Sequence, residues 1–219
     1  AIGGGAGYWQ ARTVKMTAMP QMVAIFNGMG GATAALISLV EFQHKESIGR
    51  GEIISIVLGL IIGCISFSGS MVAFAKLQGL ISGQRISYPN QQVINAAIGI
   101  AVVIIGVIIA LLLQTDLTHT LIVVLFLAAL VLGVLTVLPI GGADMPVVIA
   151  VLNSMTGVAA ALTGFVLNNQ ALIIAGILVG ASGAFLTLLG KVLPMQLSGD
   201  PDAPLQVHII AYGSRQDPE

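Results

Sequence analysis

Gly141-Gly142-Ala143-Asp144-Met145-Pro146, running on into Val147-Val148-Ile149-Ala150-Val151-Leu152-Asn153-Ser154, decides how the rest of the chain is read. It joins two long apolar segments. Paired glycines loosen the backbone, and Asp144 is the type of residue that caps a helix N-terminus. Pro146 falls in the first turn of the next helix, where a missing N–H costs nothing. That helix carries Asn153 about two turns in, with apolar neighbours on its N-terminal side. An amide at such depth has no water and needs a partner inside protein. An acid at the mouth and an amide within outline a polar way into an apolar layer.

Composition agrees with that layer being a bilayer. The chain has 219 residues, of which 57% are hydrophobic and 8% charged, and its mean hydropathy is +1.02. A water-facing globular surface needs about 25% charged residues, so the chain reads as an all-α polytopic membrane protein. A formal net charge of −1 leaves no basic footprint for nucleic acid. Cys64, the single cysteine, lies in an apolar run and reads as a small buried hydrophobe. His44, His119 and His208 fall in loops or the tail without metal-ligand spacing, so no metal site is expected.

Apolar runs near the ~20 residues that a bilayer core requires cover Met22–Val40, Ile53–Ala75, Val93–Leu113, Thr120–Leu138, Pro146–Leu167 and Ala171–Leu193. Short polar breaks separate them. Asn168-Asn169-Gln170 is so tight that the fifth and sixth spans should form an antiparallel hairpin. Ahead of them, Ala1 to Trp9 reads as the last turns of a preceding helix, and the chain as a piece of a longer one. Tyr8 and Trp9 would lie at the interface, with Arg12 and Lys15 in water. The expected architecture is a helical bundle of six full transmembrane helices plus the end of a preceding one. Residues 1–15 form that end and its turn, 16–193 the bundle, and 194–219 a polar tail or linker, or a vector-derived tail. Pro194, Gly199, Pro201 and Pro204 are expected to end the last helix, and Leu205–Ile210 to form a lone short strand.

Arg12, Lys15, Lys76, Arg85 and Lys191 fall in alternate loops on one face. Lys45 and Arg50 fall on the other, diluted by Glu41, Glu46 and Glu52. The excess of basic residues sets the first face, the C-terminus and Asp144 on the cytoplasmic side. Glycine, alanine and serine mark the first, second, fifth and sixth spans, and in lipid close backbone approach holds helices together. Those four are expected inside, with the Ile/Val/Leu-rich third and fourth spans outside.

The polar residues within spans each carry two readings. Asn153 and Asn27 are either hydrogen-bonding glue between helices or steps on a proton or ion path. Ser70 either bonds back to the preceding turn or joins that path. Asp144 is either a cap or an acid that gates protons or pairs with a cationic partner. Gly3 to Gly7 and Gly28 to Gly31 lack the strand, helix and spacing of a dinucleotide fingerprint, so no nucleotide site is expected in this chain.

Several strings together resemble the membrane domain of proton-translocating NAD(P) transhydrogenase, in its beta subunit. They are Lys15-Met16-Thr17-Ala18-Met19-Pro20, Ser66-Phe67-Ser68-Gly69-Ser70-Met71-Val72-Ala73-Phe74, Ile140 to Val148 with Leu152-Asn153-Ser154, and Gly180-Ala181-Ser182-Gly183-Ala184. The resemblance implies a bacterial inner-membrane enzyme coupling hydride transfer from NADH to NADP⁺ to proton entry. NAD(H) and NADP(H) would sit on partner soluble domains, and no cofactor on this chain. It also implies a proton path through Asn27, Ser70, Asn153 and Gly183, and a coupling role for Asp144 toward the NADP(H) domain. Alpha-type subunits would be partners, and the whole complex a homodimer. Some members carry histidine where this chain has Asn27. An amide does not titrate near neutral pH, so a histidine from a partner alpha-type helix is expected beside Asn27 and Asn153. Two other readings stand beside this one: a secondary transporter with a broken-helix site at Gly141-Gly142, and a non-conducting membrane scaffold.

Overall fold

The computed structural model describes residues 2–15, 18–44, 49–112 and 115–198, without the side chains of Ile2, Ala6, Gln10, Ala11, Asp116 and 191–198. Its elements are α1 (Ile2–Thr13), α2 (Met19–His44), α3 (Arg50–Leu77), α4 (Gln91–Leu112), α5 (Asp116–Val137), α6 (Met145–Val166) and α7 (Gln170–Ser198). The described residues contain no strand. Six of the helices, α2 to α7, are long and apolar enough to cross a membrane, so the chain is an all-helical integral membrane protein. Lys45, Glu46, Gln114, the Lys191 side chain and the tail strand Leu205–Ile210 lie outside the described residues.

Local chemistry accounts for the helix ends. Thr115 opens α5 with a reciprocal cap: its side chain accepts from Thr118 N–H, and Thr118 Oγ1 accepts from Thr115 N–H. Asn90 and Asn168 take positive φ angles of 55° and 52°, which asparagine tolerates better than other side chains. Asn168 lets α6 turn back directly, and Asn169 Oδ1 accepts from Leu172 N–H at 3.1 Å to start α7. The tight hairpin read from Asn168-Asn169-Gln170 is therefore present. Pro194 does not end the last helix as expected; α7 continues to Ser198. Only one turn follows it, so the backbone bond that proline removes there interrupts little.

The start of α6 also differs from expectation. Asp144 occupies the N-cap position, yet its side chain caps nothing. A 3₁₀ turn, Gly142–Asp144, leads into the helix and holds Asp144 at φ −87°, ψ −4°. Side-chain capping needs an extended backbone, so the carboxylate is released for another contact. Pro146 stands in the first turn, as expected. Gly141 and Gly142 connect α5 to α6 and do not interrupt a helix.

The bundle is organised around α3, which packs against α2, α6, α5 and, more lightly, α4. One apolar core gathers Phe42, Ile53, Ile56, Leu60, Val102, Ile109, Ile122 and Leu125 between α2, α3, α4 and α5. A second gathers Ala24, Ala73, Val137, Met145, Ile149 and Leu152 where α6 begins. The expected inner quartet is half corrected. The fourth span, α5, is an inner neighbour of α3, because Gly133 lets it press on the Ile65 carbonyl. The sixth span, α7, rests on α6 alone among its main contacts and exposes Ile174, Ile177, Leu178, Phe185 and Leu188. Its glycines all face α6, which leaves its large side chains for lipid.

Candidate functional site

A polar cluster lies where α2, α3 and α6 meet. Asn27 on α2 is 7% exposed, and Ser66 and Ser70 on α3 are fully buried. Ser66 and Ser70 are four apart and so share one helix face. Asn27 Nδ2 donates to Ser70 Oγ at 2.8 Å and to Ser66 Oγ at 3.3 Å. Ser66 Oγ donates to the Leu152 carbonyl of α6 at 2.9 Å, and lies 2.5 Å from Thr156 Oγ1. Thr156 Oγ1 in turn reaches the Asn27 carbonyl at 3.5 Å. Asn27 Oδ1 is buried and has no hydrogen-bond partner among the described residues.

Small residues make this convergence possible. A Cβ on Gly63 would lie 2.7 Å from the Gly31 carbonyl oxygen, and one on Gly31 would lie 2.9 Å from the Gly63 carbonyl oxygen. Real Cβ atoms essentially never come so close, so the α2–α3 spacing requires glycine on both sides. At that spacing a short amide on one helix reaches a hydroxyl on the other. Each hydroxyl can donate and accept at once, and the amide carries both functions. The set can therefore pass hydrogen bonds along, but none of its members titrates near neutral pH.

The sequence-derived site residues separate into four places. Asn27 and Ser70 are joined directly. Asn153, one residue on from Leu152, is half-buried and makes no hydrogen bond among the described residues. Gly183 is buried against α6, where a Cβ would lie 2.6 Å from Ser154 N and 2.9 Å from the Ala150 carbonyl oxygen. That is the α7 side of α6, away from the Leu152 carbonyl and Thr156 that meet Ser66. Asp144 lies at the foot of α6, with Oδ2 3.4 Å from Arg85 Nη2. Ser66 and Thr156 are not among the residues that the sequence singles out as a site. The four-residue spacing of Ser66 and Ser70 was the available sign for the first, while Thr156 had none. Of Ser66, Ser68 and Ser70, it is Ser68 that bonds back to the preceding turn of its own helix, at the Cys64 carbonyl.

The foot of the bundle holds Lys76, Arg85 and Asp144. Lys76 is 4% exposed, and its Nζ donates to the carbonyls of Leu138 at 2.5 Å, Ile140 at 2.7 Å and Gln84 at 3.3 Å. Gly142 N–H donates to the Gly83 carbonyl at 2.8 Å. The α3–α4 loop and the α5–α6 connector are thus tied together, so Lys76, Arg85 and Asp144 share one end of the bundle. Among the described residues no three of His, Cys, Asp and Glu come together as a metal site.

A family model described as the NAD(P) transhydrogenase beta subunit matches residues 1–192. Two curated relatives, both called NAD(P) transhydrogenase subunit beta, come from Rhodospirillum rubrum and from one of its strains. Each is 45% identical over 197 residues, covering 86% of this chain and 42% of the relative. The chain thus spans about two fifths of the length of the curated relatives it matches.

Proposed function

This chain belongs to the NAD(P) transhydrogenase beta-subunit family, and we propose that it forms the proton-conducting membrane part of a transhydrogenase. In this reading, hydride transfer from NADH to NADP⁺ is coupled to proton entry across a bacterial inner membrane, with the C-terminus cytoplasmic. NAD(H) and NADP(H) act on partner soluble domains. The observation that carries the reading is the polar set of buried Asn27, Ser66 and Ser70 with half-buried Thr156, joined across three helices.

Asn27 and Ser70 are the central steps of the relay, with Ser66 and Thr156 added to it. Asn153 continues it along α6. Gly183 contributes by letting α7 seat against α6 and so fixing where α6 stands. Asp144 couples the relay to the NADP(H)-binding domain. The relay lacks a titrating member, and Asn27 Oδ1 awaits a donor in a buried place. A histidine on a membrane helix of an alpha-type subunit supplies both, in a complex that is a homodimer overall. Replacing that histidine with proton pumping left intact would remove this part of the reading.

The energy scale is adequate. One charge moving down 100 mV releases about 2.3 kcal/mol, which displaces a near-balanced redox equilibrium roughly 40-fold at 1.4 kcal/mol per tenfold. No bond chemistry is then required of the membrane part; it has only to change which side its polar groups serve. The test is the double variant Ser66→Ala with Ser70→Ala in the whole complex, reconstituted in vesicles. Proton uptake should fall more than tenfold while the nucleotide domains still exchange hydride. Unchanged uptake would refute the relay.

A further inference from the structure

Lys76 stands apart from that relay. It is a cation buried at the end of α3 with no carboxylate partner among the described residues. Three backbone carbonyls surround its Nζ, from Leu138, Ile140 and Gln84. An ammonium has three N–H donors and no acceptor, so the protonated form satisfies all three carbonyls at once. A neutral amine would turn a lone pair toward one of them. Two of the acceptors lie just past the end of α5, where the helix leaves carbonyls without internal partners and its dipole favours a cation. The lysine therefore serves as the cap that α5 lacks in its own sequence.

The acceptors belong to segments that matter. Leu138 and Ile140 lead into Gly141–Asp144, and Gln84 sits beside Arg85, the partner of Asp144. Lys76 itself lies six residues beyond Ser70 on α3, about 9 Å along the helix. On the same helix end, Gln21 Nε2 of α2 donates to the Leu77 carbonyl at 3.3 Å. One side chain thus spans the distance from the acid-bearing connector to the helix that carries two members of the buried polar cluster.

We propose that Lys76 is a positioning residue for coupling. Its buried ammonium holds the α5–α6 connector against the end of α3, so that a displacement at Asp144 moves the helix bearing Ser66 and Ser70. The proposal rests on the reading of the chain as a transhydrogenase proton path. The test uses the whole complex with Lys76→Met, which keeps length and loses the donors, and Lys76→Arg, which keeps the charge. Amide hydrogen exchange of residues 138–144, measured by mass spectrometry, reports the brace without reference to activity. It should speed up tenfold or more in Lys76→Met and stay within threefold in Lys76→Arg. Hydride transfer driven by an imposed proton gradient should fall tenfold or more in Lys76→Met and by less than threefold in Lys76→Arg. Exchange within twofold of the parent in Lys76→Met would overturn the brace. Faster exchange with unchanged gradient-driven transfer would overturn its part in coupling. If Lys76→Met does not assemble, Lys76→Gln replaces it under the same two criteria. A parent complex that moves no protons would instead refute the functional reading, and the exchange measurement would still decide the brace.

Discussion

Two glycine-lined seams run through this molecule, and they do different work. In the α2–α3 seam, Gly31 and Gly63 bring backbones together and polar side chains fill the space beside them: Asn27, Ser66 and Ser70, with Thr156 arriving from α6. In the α6–α7 seam, Gly157, Gly176 and Gly183 bring backbones equally close. There the one side-chain hydrogen bond across the seam runs from Ser154 Oγ to the Gly180 carbonyl, at 2.8 Å, among the described residues. The same small-residue pattern thus supports a polar junction in one place and bare contact in the other. The difference lies in which helix position next to the glycines holds an amide or hydroxyl, and whether a third helix closes over it. Without that third helix, α7 remains an outer element facing lipid.

The largest effect should come from blocking contact, and it should not distinguish the seams. In Gly157→Val the new side chain meets the Gly180 backbone directly. Such overpacking removes about 3 kcal/mol or more, so thermal unfolding in detergent should show a large loss of folded complex. Gly63→Val should behave alike. A tolerated valine in one seam and not the other would show that the two are not equivalently packed. The next largest effect separates the seams. Asn153→Leu removes an amide whose side chain has no hydrogen-bond partner among the described residues, so stability should change by less than about 0.5 kcal/mol. Proton uptake should nevertheless fall several-fold if Asn153 continues the relay along α6, and a scaffold would show no change. The smallest effect on proton uptake belongs to the α6–α7 seam: Ser154→Ala removes one interhelical bond worth about 0.6 kcal/mol and should leave proton uptake as it was.

Much of this was legible in the sequence because bilayer physics is strict about length and polarity. The six spans follow from apolar runs that must cover the hydrocarbon core, and Asn168-Asn169-Gln170 leaves no room for anything but a hairpin. Asn27 and Ser70 stood out as polar groups in apolar company. What did not show was sidedness around each helix. Gly183 and Gly31 look alike in a chain of letters, and only packing tells that one seats the outer helix α7 on α6 and the other lines the junction. Thr156 carried no sign, since a threonine three residues after Asn153 is as easily a packing residue. Lys76 was read as a marker of orientation, yet it is buried and holds three carbonyls. Two of those acceptors, Leu138 and Ile140, lie 62 and 64 residues further on, so nothing near it in sequence announces them. Asp144 carries two readings in the sequence, a cap or an acid that gates protons or pairs with a cation; the 3₁₀ turn Gly142–Asp144 removes the first, since the side chain caps nothing and lies 3.4 Å from Arg85 instead.

The division of labour between the two seams is tested most directly by proton uptake per hydride transferred, measured in vesicles on whole complexes carrying Asn27→Leu or Ser154→Ala at matched assembly. Asn27→Leu should retain less than a tenth of the parental ratio, because Ser70 loses its hydrogen bond from Asn27 Nδ2 and the junction loses its one amide among the described residues, while Ser154→Ala should match the parent. Equal ratios in the two variants, or a parental ratio in Asn27→Leu, would contradict the account.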